Sequence, residues 1–324
     1  MHLDRRLAGW GVFLVLLGAI PLLVQQGVLT KDMIARAWTL WPVLLIAAGI
    51  GLLLRRTPFD FVGGLLAAAT LGILGGALLA GGFVPFGACG GDKTGTAFPA
   101  RQGDLGTSAT VELTQNCGDL SIATASGSTW RVEGQGSESP PTVDAAADHL
   151  RVTSAERTGI DFLQSSDRWT VSLPSAPRLD LTATVNAGTG RFDLANANLG
   201  QVRMTVNAGT LMLDLSHVAS IGGLDVHLNA AADPRILLPN TSLTGSIDAN
   251  AAGNVRLCAP AGAGLSLTAN DNLTATNNYA TRGLAQVGGA WQTPGYDAAA
   301  VKIQLVTHAN AGSFNLEQEG SCGG

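Results

Sequence analysis

NAGTGRFDL at Asn186–Leu194 and NAGTLMLDL at Asn207–Leu215 are near copies that start 21 residues apart. Asparagines followed by small residues recur at Asn229 and Asn250, so successive separations are 21, 22 and 21 residues. A fixed period near 20 marks a solenoid, whose repeats cannot bury their own apolar faces and must stack. Within one period the apolar residues alternate as in strands: Val202, Met204 and Val206, then Leu211, Leu213 and Leu215, then Leu224, Val226 and Leu228. Leu179, Leu181, Val185, Phe192 and Leu194 fit the same scheme earlier, as do Val255, Leu257, Leu265 and Leu267 later. The pattern predicts an all-β, single-stranded β-solenoid resembling a β-helix, with rungs of about 21 residues.

The corners of this solenoid are assigned to Asn186, Gly188, Asn207, Gly209, Asn229 and Asn250. Glycine supplies the positive φ of a sharp turn, and an asparagine beside it bonds to local backbone or stacks on the asparagine of the next rung. Imperfect echoes at Asn116 (NCGDLSI) and Asn310 (NAGSFNL) extend the array. In the third and fourth rungs the inward positions shift by one, to Ile236 and Leu238 and then Val255 and Leu257, which calls for a bulge or an added corner residue such as Gly253. The repeat loosens near 127–167 and again near 277–300, where hairpins and loops are expected.

The solenoid occupies 110–324. Ahead of it lie a Gly/Thr/Ala-rich spacer at 85–109 and a very different N-terminal part. Of the 324 residues, 46% are hydrophobic and 13% charged, and the excess is concentrated in uncharged runs at 7–24, 38–54 and 61–84. Each has the length of a membrane span, which gives a three-span helical region over 1–84. Arg5 and Arg6 before the first span and Arg55 and Arg56 between the second and third place those segments in the cytoplasm, so the β-domain lies outside the cell membrane. All four cysteines, Cys89, Cys117, Cys258 and Cys322, follow the spans, which suits disulfides in an oxidising compartment. Three pairings are open, as are buried unpaired thiols. Gly64, Ala68, Gly72, Gly76 and Ala80 line one face of the third span and allow close packing, on a partner helix, on another copy or on the first two spans.

Catalytic signatures are sparse. The five histidines show no metal-ligand spacing, and no nucleotide-binding or nucleophile-elbow motif follows a strand. Asp193 and Asp214 occupy equivalent outward positions on consecutive rungs, but the next rungs offer no acid there. No enzyme activity, cofactor or metal is therefore expected. Residues 1–84 hold six Lys and Arg against three Asp. With a chain net of −5, the remainder carries −8, which disfavours nucleic acid as a partner. Tyr279, Trp291 and Tyr296 lie on the insertion that interrupts the rungs, either as partner contacts or as a cover for the end of the stack.

LDRRLAGWGVFLVLLGAIPLL at 3–23 and LWPVLLIAAGIGLLL at 40–54 resemble the LiaI/LiaF-like transmembrane region. The stretch from Trp169 to Leu215 is similar to the β-helical domain shared by LiaF-type cell-envelope stress proteins and candidate bacterial adhesins. The resemblance implies a bacterial, multi-pass envelope protein that regulates the response to envelope stress by contacting a membrane histidine kinase or another envelope protein. The alternative it leaves is a surface adhesin or scaffold that binds polysaccharide or self-associates as a homo-oligomer.

Overall fold

A computed structural model of the chain describes residues 11–15, 19, 68–73, 96–136, 140–154, 167–270, 275–318 and 322. Two compact units divide it, Met1–Phe86 and Gly87–Gly324. In the first unit 11–15 and 68–73 are helical, and Leu14, Val15 and Leu71 are exposed. Among the described residues no helix is long and apolar enough to cross a membrane. Most of the predicted spans lies outside the described residues, and with it Gly64, Gly76 and Ala80. Of the small-residue face, Ala68 is half-buried and Gly72 buried on the helix at 68–73.

The second unit is all-β. Strand β1 (Thr96–Asp104) precedes a first rung of two strands, β2 (Ser108–Gln115) and β3 (Gly118–Ala125), followed by β4 (Thr129–Gly136) and β5 (Thr142–Ala146). A second rung joins β6 (His149–Thr153) to β7 (Asp167–Pro174). Four rungs succeed it: β8 (Arg178–Val185) with β9 (Gly188–Asp193), β10 (Asn198–Val206) with β11 (Gly209–Asp214), β12 (Ser220–Leu228) with β13 (Arg235–Leu237), and β14 (Leu243–Ala249) with β15 (Asn254–Ala259). Next come β16 (Gly264–Ala269) and β17 (Ala275–Asn277), a small hairpin of β18 (Ala285–Val287) and β19 (Ala290–Gln292), and a last rung of β20 (Lys302–Ala309) and β21 (Gly312–Gln318).

Each rung gives one strand to each of two sheets, which run β1-β4-β7-β3-β9-β11-β13-β15-β21-β17 and β18-β19-β16-β20-β14-β12-β10-β8-β2-β6-β5. Pairing between rungs is parallel and in register, for example Val202↔Leu224, Met204↔Val226 and Val206↔Leu228. The alternating apolar residues all point between the sheets. Leu181, Val202, Val226, Leu213, Ile236 and Leu257 are fully buried, each burial contributing about 1.5–3 kcal/mol.

Rung order in space is not rung order in the chain. The first rung lies between the second and third, because β2 pairs with both β6 and β8 and β3 pairs with both β7 and β9. The last rung likewise lies between the two that precede it: β20 pairs with β14 and β16, and β21 with β15 and β17. The rungs left outermost carry antiparallel strands on their free sides, β4 on β7, β5 on β6 and β19 on β16. Such strands close a parallel stack that would otherwise present long unpaired edges. Residues 96–104, read from sequence as spacer, belong to this closure, since β1 pairs antiparallel with β4.

The one-residue shift of the middle rungs lies in their corners. Leu213, Ile236 and Leu257 are register neighbours, yet they stand six, seven and seven residues after Asn207, Asn229 and Asn250. One added corner residue in the two middle rungs keeps the inward alternation intact.

Candidate functional site

At the corners the asparagines form one continuous ladder. The side-chain amide of Asn186 donates to Oδ1 of Asn116 at 2.8 Å, Asn207 to Asn186 at 2.6 Å, Asn229 to Asn207 at 2.7 Å, Asn250 to Asn229 at 2.8 Å and Asn310 to Asn250 at 2.7 Å. Asn116 and Asn310 are thus full members, brought in by the rungs that fold back into the stack. At one end the backbone N–H of Asn116 donates to Ser154 Oγ of the outermost rung at 3.0 Å. Both faces of the Asn186, Asn207, Asn229 and Asn250 amides are engaged within the ladder, which leaves these residues a structural part. Gly188 and Gly209 beside them have φ of +124° and +127°. A side chain on Gly209 would run into the carbonyl of Gly188, and one on Gly188 into that of Gly118.

Asp193 and Asp214 face outward on neighbouring strands. Their carboxylates are turned back on the chain: Asp193 accepts from the N–H of Ala195 at 3.2 Å, and Asp214 from the N–H and hydroxyl of Ser216 at 2.9 and 2.6 Å. These bonds hold the turns that lead out of β9 and β11.

The insertion aromatics cover the end of the stack. Tyr279 is fully buried, its hydroxyl 3.3 Å from the buried Thr307 Oγ1. Tyr296 is also buried, accepts from Gln304 Nε2 at 2.6 Å and lies under the Lys302 ammonium, 5.5 Å from the ring centre. Trp291 is half-buried against the core. Burial closes the two tyrosines to an outside partner, and the cause is the last rung, whose Thr307 and Gln304 they pack on.

Cys258 and Cys322 form a disulfide, and Cys117 is disulfide-bonded too; Cys89 lies outside the described residues. Cys258 alternates with the inward Leu257, yet it is buried, as is its partner Cys322, whose carbonyl accepts from Arg235 Nη1 at 2.7 Å. Glu317 completes a group of metal-type donors with the two cysteines, but sulfurs joined to each other offer no thiolate for a metal. Cys322→Ser should cost about 2–3 kcal/mol by removing the Cys258–Cys322 cross-link, which constrains the unfolded chain. Thermal melts of oxidised and reduced protein check it, since reduction alone should add little further loss from this bond in the variant.

Among the described residues the polar clusters lie on the outer faces of the sheets. A shallow groove near one end is lined by Thr110, Glu112, Asp144, His149, Leu150 and Arg151. Arg151 Nε donates to Glu112 at 2.7 Å, and His149 lies 3.0 Å from Asp148 and 3.6 Å from Asp144. The hydrogen bond with Asp148 raises the His149 pKa above its usual value and lowers that of Asp148. This pairing is therefore present at and somewhat below pH ~6.5, and is lost as pH rises through the raised His149 value or falls through the lowered Asp148 value. Further along, His227 Nδ1 lies 3.0 Å from Asp248 and Nε2 3.8 Å from Asp225. Apart from the adjacent His149 and Asp148, sequence spacing does not show these clusters, because cross-strand register brings Glu112 to Arg151 and Asp248 to His227.

Residues 93–228 match the N-terminal domain of toast_rack, DUF2154. The match ends at Leu228, the last residue of β12, and β13 to β21 continue the same two sheets beyond it. Residues 8–53 match the LiaI-LiaF-like transmembrane region. No curated protein matches the chain. Two solved structures are similar in part. A candidate cell-adhesion protein from Clostridium sporogenes is 14% identical with a TM-score of 0.43, over 68% of this chain and 99% of that one. A candidate adhesin from Bacteroides fragilis is 8% identical with a TM-score of 0.27, over 68% and 97%.

Proposed function

We propose that this is a non-enzymatic bacterial envelope protein, anchored in the cell membrane by several spans, whose toast-rack domain regulates or senses envelope stress through protein–protein contact. The observation that carries the reading is the presence in one chain of a LiaI-LiaF-like membrane region, at 8–53, and a toast-rack domain, at 93–228. The lack of charge in the predicted spans and the disulfide at Cys258–Cys322 support a domain placed outside the membrane. The carboxylates Asp193 and Asp214 are engaged by their own turns. A membrane histidine kinase or another envelope protein is the partner class.

Photo-crosslinking from outward positions of the toast-rack domain in intact cells, followed by mass spectrometry, tests this. Recovery of a histidine kinase or another membrane protein is the expected result. Recovery of wall polysaccharide or of this chain alone would replace the regulatory reading with an adhesin or a self-associating scaffold.

A further inference from the structure

We propose that the outer face of the β12–β14–β20 sheet holds a divalent transition-metal site built by His227, Asp248 and His308. The three residues lie in one row across adjacent strands, with His227 in register with Asp248 and Asp248 in register with His308. Neighbouring strands are ~4.8 Å apart, so each imidazole starts one strand spacing from the central carboxylate. His227 Nδ1 and Asp248 Oδ2 are 3.0 Å apart, close to the ~3.3 Å edge of a tetrahedron with metal–ligand bonds of ~2.0 Å.

The second nitrogen of His227 is also provided for. Its Nε2 lies 3.8 Å from Asp225 Oδ1, and that carboxylate is fixed by the Ser246 hydroxyl at 2.5 Å. A carboxylate facing the far side of a ligating imidazole orients the ring and raises its basicity. His308 is exposed and is held only by a 3.5 Å contact from Nε2 to the Asn270 amide. In this structure the ring is turned toward Asn270, so metal binding requires it to rotate about its side-chain bonds toward the register-paired Asp248 to become the third donor, with water in a fourth position. Two imidazoles and a carboxylate suit Zn2+, Cu2+ or Ni2+ and not the all-oxygen preference of Ca2+ or Mg2+. His227 and Asp248 are 46% and 30% exposed, so an ion reaches them without opening the core.

The site exists only because the last rung folds back. His308 is 81 residues from His227 in the chain, and β20 adjoins β14 because it displaces β16 from that place.

The test is titration of the full chain, purified in detergent without a polyhistidine tag and with its disulfides intact, with Zn2+ in an isothermal calorimeter. One equivalent should bind, and His227→Ala, His308→Ala and Asp248→Asn should each weaken binding roughly ten-fold or more. His149→Ala and His217→Ala should leave it unchanged. All five side chains are outward, so unchanged melting curves confirm that the variants fold. No saturable Zn2+ binding by the wild-type protein would overturn the proposal. Binding of equal affinity by the His227→Ala/His308→Ala double variant would overturn it as well.

Discussion

Phe314→Ala lowers the stability of the β-domain by about 3–5 kcal/mol, the usual cost of emptying a phenylalanine site in a packed core. For a domain of this size that is a fall of roughly 10–15 °C in melting temperature. Phe314 belongs to the last strand in the chain, β21, yet it is fully buried, with Val255 of β15 and Asn277 of β17 as its register neighbours. A rung on the outside of the stack would have one neighbour in each sheet, and its truncation would cost far less. Circular dichroism melts decide the matter. A loss under about 1 kcal/mol would place the last rung at an end of the solenoid and remove the folded-back order.

Gly209→Val should cost about 3–5 kcal/mol. Part is the strain of a β-branched residue at φ +127°, worth ~1–3 kcal/mol. The remainder is collision: a Cβ at Gly209 would meet the carbonyl carbon and oxygen of Gly188 on the rung beneath, and such overpacking typically costs ~1–3 kcal/mol. The stacked corner cannot move away without breaking the bonds of Asn207 to Asn186 and of Asn229 to Asn207. Gly262→Val is the control, since Gly262 also has positive φ, +80°, but no atom within 4 Å of its would-be Cβ. It should show the strain alone, so equal losses at the two sites would mean that stacking adds nothing.

Much of the rung is legible in sequence because the forces that make it are local. Strict alternation at Val202–Met204–Val206 tells which side is buried, and the recurrence of Asn-Ala-Gly tells where the chain turns. The role of the corners is equally local, since only glycine tolerates that φ and only an amide can both donate and accept along a row of its own kind. The outer-face clusters are another matter. His227 with Asp248, and Arg151 with Glu112, are assembled by strand pairing, and no period of the sequence announces which outward residues will be neighbours.

The aromatic insertion shows the same division. Tyr279 and Tyr296 on an irregular segment read equally as partner contacts or as a cover. Their burial is decided by β20, which places Thr307 and Gln304 beneath them.

By itself, then, the sequence determines the unit: an all-β rung of two strands, its inward and outward residues, its asparagine and glycine corners, and the apolar region that precedes it. The tertiary structure alone decides the order in which units stack. That order depends on which rungs carry antiparallel closing strands, and so must lie outermost, and this competition between edges is invisible to any pattern within a single period. It joins Asn116 and Asn310 to the ladder, buries Phe314, and brings His308 beside Asp248.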